Sequence, residues 1–297
     1  MICIELFGGL GNQMFQYAFG AALAETRNTN LVLDTTSLDY PNELDGITPR
    51  PYGLNIFPNL VASKVSGNDL KKAKPLYLRM LNYLVYKLTG NGIRHSQYYI
   101  QNARFYDEKI ARISKQCYVS GYWQSYKYLL SCDALIRSHF QFPAIKDEKN
   151  LRLIEQIEST ESVSIHIRRS DYLKAHNMET HGVCSLLYYK SAIDYISKKI
   201  KNPVFFIFSD DMDWVVANIN IQYPNFYVNH NRGRDSFRDM QLMAACKHNI
   251  IANSSFSWWG GWLNDTSEKI IIAPAKWFNN IKGFVYSDLV PPTWISL

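Results

Sequence analysis

The run Pro203-Val-Phe-Phe-Ile-Phe-Ser209 constrains the fold of this chain more than any other stretch. A strand with one face in water alternates apolar and polar residues. This one is apolar throughout between Pro203 and Ser209, so both of its faces must be covered. That is the condition of an inner strand in a parallel sheet with helices on either side. The flanking sequence alternates to match: strands are predicted at 163–168, 226–229, 249–253 and 269–273, and helices at about 187–200, 213–222, 236–247 and 255–264. The N-terminal part begins the same way. Met1–Phe7 reads as a strand, Gly8–Gln13 as a glycine-rich turn, Met14–Arg27 as a helix and Leu31–Asp34 as a second strand, a β-α-β unit. Pro41, Pro49, Pro51, Gly53 and Pro58 make 40–60 a loop, the middle to about Phe142 reads mostly as helix, and Pro143–Asn150 is polar enough to be a linker. The expected architecture is α/β, with two Rossmann-like domains, 1–145 and 146–297, facing across a cleft that holds the site at the carboxyl ends of the strands.

The stretch Val163–Tyr172 carries the most chemistry. Val163, Ile165 and Ile167 alternate with Ser164, His166 and Arg168, the period of a strand with one polar face, and Arg169 and Asp171 follow where the strand ends. Two adjacent guanidinium forks at a strand terminus suit a doubly charged anion, most simply a diphosphate, provided the strand yields to a loop there. An arginine paired with Asp171 to close a turn is the plainer alternative. His166 on the same face favours the ligand.

Composition limits the remaining classes. At 47% hydrophobic and 20% charged, the 297 residues have core material for two soluble domains. No apolar run approaches the ~18–20 residues of a transmembrane helix, and a core strand beginning at Ile2 leaves no room for a secretory signal. Cys3, Cys117, Cys132, Cys184 and Cys246 are scattered and read as reduced core thiols of a cytoplasmic protein. Charge is uneven: 61–152 holds 16 Lys/Arg against 6 Asp/Glu. Within it, Lys71–Leu88 is basic, aromatic and amphipathic. A surface helix with its apolar side on the core is the simpler reading, and peripheral contact with an anionic membrane the sharper one. The aromatics are not interleaved as base-stacking platforms, which argues against nucleic acid.

Three further constellations stand beside these. Gly9-x-Gly11 after a strand, with Asp34 ending the next strand, approaches a dinucleotide fingerprint, but Met14 occupies the third glycine position and weakens it. The amides at Gly9–Asn12 still form an anion-friendly corner, to which Asn12 and Gln13 add neutral donors; a tight turn capped by Asn12 would also account for it. Asn249–Trp262 is again strand, turn and helix, with Ser254 and Ser255 at a helix N-terminus and Trp258, Trp259 and Trp262 at core spacing. The Asn253-Ser-Ser sequon would be irrelevant in a buried turn. Asp211-Met-Asp213 could hold a metal, although a helix cap is the commoner role, and Asp239 after Ser236 could be a capping box.

Taken together, Gly8-Gly-Leu-Gly-Asn-Gln-Met14, Gly121-Tyr-Trp-Gln-Ser125, His166-Ile-Arg-Arg-Ser-Asp-Tyr172 and Ser254-Ser-Phe-Ser-Trp258 resemble the bacterial α-1,2-fucosyltransferases, in that family's order and over nearly the whole chain. The resemblance implies a GT-B fold and inverting transfer of fucose from GDP-fucose, without a metal or other cofactor, to the 2-hydroxyl of a β-galactoside. The acceptor would be a galactoside-terminated oligosaccharide or a lipid-linked glycan for a bacterial surface polysaccharide of the O-antigen type. The enzyme would be cytoplasmic, peripheral to the inner membrane through its basic segment. By the same resemblance, Arg168 and Arg169 grip the β-phosphate, His166 lies near the nucleotide, and Ser254 and Ser255 complete the phosphate cradle. Asp239, sixteen residues before Ser255, reads guanine, Asn12 faces the fucose, and Gly11 and Phe256 complete the binding set. Arg168, Asp171 and Asn12 would be the catalytic group, with His176, Glu179 and His181 as other candidate bases. Ser170 and Tyr126 depart from the family, where glycine and an acid are common; the second bears on the acceptor. Two rivals are a metal-dependent transferase built on Asp211 and Asp213, and a non-catalytic glycan- or nucleotide-binding protein.

Overall fold

A computed structural model describes residues 1–39, 50–65, 67–102, 106–281 and 283–297. The expected loop at 40–60 therefore lies partly outside the described residues. The chain divides into two compact units, Met1–Pro143 with Lys282–Leu289, and Ala144–Ile281 with Val290–Leu297.

The first unit opens with β1 (Ile2–Glu5), α1 (Leu10–Thr26) and β2 (Leu31–Asp34), followed by α2 (Thr36–Asp39), β3 (Ser63–Lys64), α3 (Gly67–Ala73) and α4 (Leu76–Thr89). Then come β4 (Arg94–His95), β5 (Tyr98–Ile100), β6 (Cys117–Ser120) and α5 (Asp133–His139). The sheet order is β3-β2-β1-β6-β5-β4, parallel except for the β4–β5 pair. Strands of two to four residues are too short to display an alternation, so the middle segment, expected to be mostly helix, hides four of them among the described residues. Helix α1 is buried around most of its circumference. Its close approach to the sheet comes not at the third fingerprint position, filled by the buried Met14, but at Gly20. There a Cβ would lie 2.9 Å from Leu31 and 3.2 Å from Ile4.

The second unit contains α6 (Glu148–Glu158), β7 (Glu161–Ile167), α7 (Ala175–Thr180), α8 (Leu186–Lys199), β8 (Pro203–Ser209), α9 (Met212–Asn218), β9 (Asn225–Val228), α10 (Phe237–Ala245), β10 (His248–Ile250), α11 (Ser255–Leu263) and β11 (Ile271–Ala273). After α12 (Tyr286–Leu289), which belongs to the first unit, β12 (Ile295–Ser296) forms the edge of the second sheet. The stretch expected to be a linker already contains the start of α6, because the Asp147 carboxylate accepts from the Asn150 amide at 2.9 Å as its cap. The order β12-β11-β10-β7-β8-β9 is parallel throughout. It is the doubly wound order of a Rossmann sheet, with its switch point between β7 and β10. Phe205, Phe206, Ile207 and Phe208 of β8 are all fully buried, as an inner strand requires. Among the described residues no helix is long and apolar enough to cross a membrane, and all five cysteines are free thiols.

Asp34 is fully buried at the end of β2. Its Oδ2 accepts from Lys74 Nζ at 2.6 Å and Tyr118 Oη at 3.1 Å, and its Oδ1 accepts from Thr36 Oγ1 at 2.6 Å. Burial alone would raise its pKa, but the Lys74 ammonium and the Thr36 donors outweigh burial and hold it below the usual carboxylate range. The acid that a dinucleotide site would turn to a ribose is thus occupied inside the fold. Lys74→Met should cost about 3 kcal/mol by leaving a buried carboxylate without its cation. Because the folded-state pKa is depressed, the wild-type advantage is present above about pH 4 and disappears as pH falls through the folded value. Urea unfolding of both proteins between pH 7 and pH 3 measures this, and a gap that failed to narrow in acid would deny the pair its role.

Candidate active site

In the second sheet, β7 lies beside β10 with Ile165 level with Ile250, so the loops leaving both strands emerge together at the switch point. Three of the expected groups sit there. His166 is the penultimate residue of β7, 6% exposed, with its ring 5.8 Å from Phe256 of α11. Burial, aided by the Arg168 charge, drives its pKa down to about 3. The ring is therefore neutral, and its buried Nδ1 has no hydrogen-bond partner among the described residues. A buried orphan of this kind is a place for a ligand's polar atom.

Arg168 and Arg169 follow, each with its own carboxylate partners. Arg168 lies between two carboxylates: Nη2 to Asp171 Oδ2 at 2.7 Å and Nη1 to Asp210 Oδ2 at 3.1 Å. Burial works against its charge, but Asp210 and Asp171 more than compensate and raise its pKa above the ordinary value. Arg169 turns toward α9, with Nε 3.2 Å from Asp211 Oδ2 and its guanidinium 3.6 Å above the Trp214 ring. Both arginines lie beyond Ile167, the last residue of β7, so the strand's alternation no longer sets their directions; the carboxylate each one takes does. Asp210 also accepts from the Arg169 amide at 2.9 Å, and Ser170 Oγ donates to the Asp210 carbonyl at 2.8 Å. A serine thus suits the position where glycine is common. No periodicity in the sequence reveals the place of Asp210 opposite Arg168. The cap itself is Asp211, whose Oδ1 accepts from the Trp214 amide at 3.3 Å.

The β10–α11 turn supplies the other side. Ser254 is the N-cap of α11, its Oγ accepting from the Phe256 amide at 3.3 Å, and Ser255 is the first helical residue. The first-turn amides and the helix dipole make this end favourable to an anion. Asn253, noted in the sequence only as an irrelevant sequon, organises the whole corner. It is 2% exposed, and its Nδ2 reaches the carbonyls of His181 at 3.1 Å, Gly182 at 3.2 Å and Trp277 at 3.1 Å. Tyr172 donates to its carbonyl at 3.1 Å while lying 5.7 Å from the Arg168 guanidinium. Among the candidate bases, Asp171 is held by Arg168 and His181 stacks on Tyr172 at 4.9 Å. Glu179 is exposed, and the side chain of His176 lies outside the described residues.

Asp239 lies in the first turn of α10, but not in a capping box, because the Ser236 side chain makes no cap hydrogen bond. Its Oδ1 instead accepts from Asn231 Nδ2 at 2.8 Å. Asn231 is tied in turn to Asn150 at 2.8 Å, and His230 Nε2 lies 3.0 Å from the same Asn150. Asn150, His230 and Asn231 line a cavity of about 390 Å³ with Lys146, Lys149 and Arg238. Burial pushes the Asp239 carboxyl up to about 7 despite the Asn231 donor and the nearby Arg232.

In the first unit the Gly8–Met14 and Gly121–Ser125 motifs meet. They follow β1 and β6, which are neighbours at that sheet's own switch point, and Gln124 Nε2 donates to Asn12 Oδ1 at 2.8 Å. Asn12 is not the cap of α1; Gly9 is, with Gly11 and Asn12 in the first turn. Gln13 is spent on the backbone, donating to the Gly8 and Pro51 carbonyls at 2.8 and 2.9 Å and accepting from Gly53, so it offers no donor to a sugar. Trp123 is held at φ +54, stacked 3.8 Å from Phe19, a left-handed backbone rare for so large a residue. Among the described residues no cluster of three or more His, Cys, Asp or Glu could hold a metal.

The chain is 35% identical over 307 aligned positions to the O-antigen biosynthesis glycosyltransferase WbnK of Escherichia coli, covering 98% of this chain and 99% of that one. It is 33% identical to an α-1,2-colitosyltransferase of Escherichia coli, covering 100% and 99%. A mutant of Arabidopsis thaliana FUT1 in complex with GDP superposes with a TM-score of 0.51 at 10% identity, covering 91% of this chain and 69% of that one. That likeness concerns the fold alone, which is GT-B with two parallel α/β sheets. Residues 81–296 match the model of Glycosyl transferase family 11, and the chain belongs to that family.

Proposed function

We propose that the protein transfers L-fucose from GDP-fucose to the 2-hydroxyl of a β-galactoside, on lipid-linked precursors of an O-antigen-type polysaccharide at the cytoplasmic side of the inner membrane. The observation that carries the reading is the corner at the β7–β10 switch point. A neutral buried histidine, a clamped arginine and a helix N-terminus are gathered there in one unit of a family 11 glycosyltransferase. Departure of GDP from C1 builds negative charge on the diphosphate, and donors fixed in advance stabilise that charge without reorganising. Arg168 is fixed by its two carboxylates and retains further N–H donors for phosphate oxygens. The α11 amides and Ser255 provide a second set. Asp239 accepts the N1 and N2 hydrogens of guanine, a donor pair that adenine and uracil lack. Gly11 and Asn12, the latter accepting from Gln124, are the remaining candidates for contact with the sugar.

One relative gives a second reading substance: the α-1,2-colitosyltransferase matches over the full chain. Colitose lacks the 3-hydroxyl of fucose, so the choice rests on whether the sugar site contains a partner for that group. An array of β-galactosides offered GDP-fucose and the colitosyl donor in competition separates the two. Faster colitosyl transfer would replace the donor assignment, and no transfer from either would leave a binding protein. Excess EDTA should leave the rate unchanged; loss restored by Mn²⁺ would give Asp211 and Asp213 a metal role instead.

Arg168→Lys tests the clamp. A point charge cannot bridge Asp171 and Asp210 as a planar fork does, so kcat/KM should fall by about a hundredfold, comparable to losing an oxyanion donor. Near-native turnover in a variant with unchanged circular dichroism would place the phosphate elsewhere.

Asp239 generates a pH prediction. Only the ionised carboxylate can accept both guanine hydrogens, and its pKa is raised to about 7 by burial. The competent form is thus depleted as pH falls below neutrality, and GDP should bind about tenfold more weakly at pH 6 than at pH 8. Asp239→Asn should bind weakly at both values and lose that slope in calorimetry. An identical slope in the variant would assign the pH dependence to another group.

A further inference from the structure

Helix α4 breaks the rule for a surface helix. Of its 14 residues only Leu78 is fully buried; Val85 is partly buried against the same core, and Asn82 accepts from the Ile93 amide at 2.9 Å. These three, spaced four and three apart, are the inward face. The simpler sequence reading, with the apolar side of this helix on the core, is therefore incomplete, because a second apolar stripe points outward. Tyr77, Met80, Leu81, Leu84 and Leu88 recur at the same helical spacing and are 61, 59, 44, 56 and 84% exposed. Leu76, Tyr83 and Tyr86 add 66, 60 and 58%. Isolated exposed apolar residues are ordinary, but a continuous stripe over about 17 Å of helix is not.

The charge around the stripe has one sign. Lys71, Lys72, Arg79 and Lys87 are exposed on α3 and α4, and between Val61 and Asn102 the only acidic residue is Asp69. Asp69 is already paired with Lys72 at 3.2 Å. An apolar stripe flanked by cations and tyrosines complements an anionic bilayer surface, where leucines enter the acyl boundary and ammonium groups meet phosphates. A cognate protein groove would have to supply that combination in one place.

We propose that the outward face of α4 docks the protein on the surface of an anionic phospholipid membrane, with Met80, Leu81, Leu84 and Leu88 inserted at the headgroup boundary and Lys71, Arg79 and Lys87 on the lipid phosphates. This docking is independent of the sugar transferred, and its test needs no turnover.

The test is co-sedimentation of the full chain with vesicles of phosphatidylcholine alone and with one third phosphatidylglycerol, at low and high salt. The expected result is partitioning to the anionic vesicles that weakens with salt and is nearly absent on phosphatidylcholine. Replacing Lys71, Arg79 and Lys87 by Gln should lower partitioning by about a hundredfold, at roughly fivefold per charge. Leu84→Ser with Leu88→Ser should lower it about tenfold per leucine, and both side chains are exposed enough to leave folding intact, checked by circular dichroism. Anionic binding that survives the serine variant would assign it to another basic surface and overturn the proposal. So would no binding to either vesicle. Sedimentation equilibrium covers the remaining occupant: a dimer that the serine variant splits, without vesicle binding, would make the stripe an interface between two copies of this chain.

Discussion

The pairing of β7 with β10 is the constraint on which the rest of the site depends. The order β12-β11-β10-β7-β8-β9 brings together two strands remote in sequence, and with them two loops that diverge on opposite sides of the sheet. The pairing is sealed from beneath by a buried polar relay. Asn249 Nδ2 reaches Ser164 Oγ at 2.8 Å across the two strands, and Asn264 Nδ2 donates to Asn249 Oδ1 at 2.8 Å. A one-residue slip would leave these amides unsatisfied in the core, so the register that sets His166 beside Phe256 is tightly specified. The first unit repeats the device with Gln124 and Asn12 across the loops that follow β6 and β1.

What could be read from the sequence follows from this. The long elements of the second unit were legible because each carries its own period: β7 alternates, β8 is apolar throughout, and α8 and α10 have buried stripes. The middle of the first unit was not, since β4, β5 and β6 are two to four residues long. Strands so short take their conformation from neighbours rather than from propensity. Residue types at the site were legible; pairings were not. Arg168, Arg169, Asp210 and Asp211 are conspicuous in the sequence, but which carboxylate each guanidinium takes depends on how β7 and β8 end side by side. Asn253 and Asn231 went unread because an asparagine in a turn is commonplace. Only the fold gives each of them buried partners.

Amides carry much of the polar framework. Asn150, Asn231, Asn249, Asn253 and Asn264 are all buried, and each makes its hydrogen bonds without a formal charge to desolvate. An amide both donates and accepts, so chains of them satisfy themselves where a carboxylate would need a cation. Two acids in different surroundings make the contrast. Asp34 has Lys74 and sits below its ordinary pKa; Asp239 has only an asparagine and a more distant arginine, and is raised to about 7. An acid left partly uncompensated in this way has unmet capacity for donors, which is what a ligand with paired N–H groups would fill.

The clamp on Arg168 has a consequence for turnover on the proposed reading. Two arginines face three aspartates at the ends of β7 and β8, so this corner is not a bare positive pocket. Some attraction for the diphosphate is given up in the ground state, because the guanidinium charge is already shared with Asp171 and Asp210. What the carboxylates give in return is orientation: the planar fork is held at both ends and pays its side-chain entropy during folding rather than binding. As the leaving diphosphate gains charge, the fixed donors interact with it more strongly than with the intact donor sugar, and only that difference accelerates the reaction. A stronger, uncompensated pair of cations would bind substrate and product nucleotide alike and slow release. Arginine neutralised by two neighbours therefore suits an enzyme that must let go of GDP better than one that merely holds it.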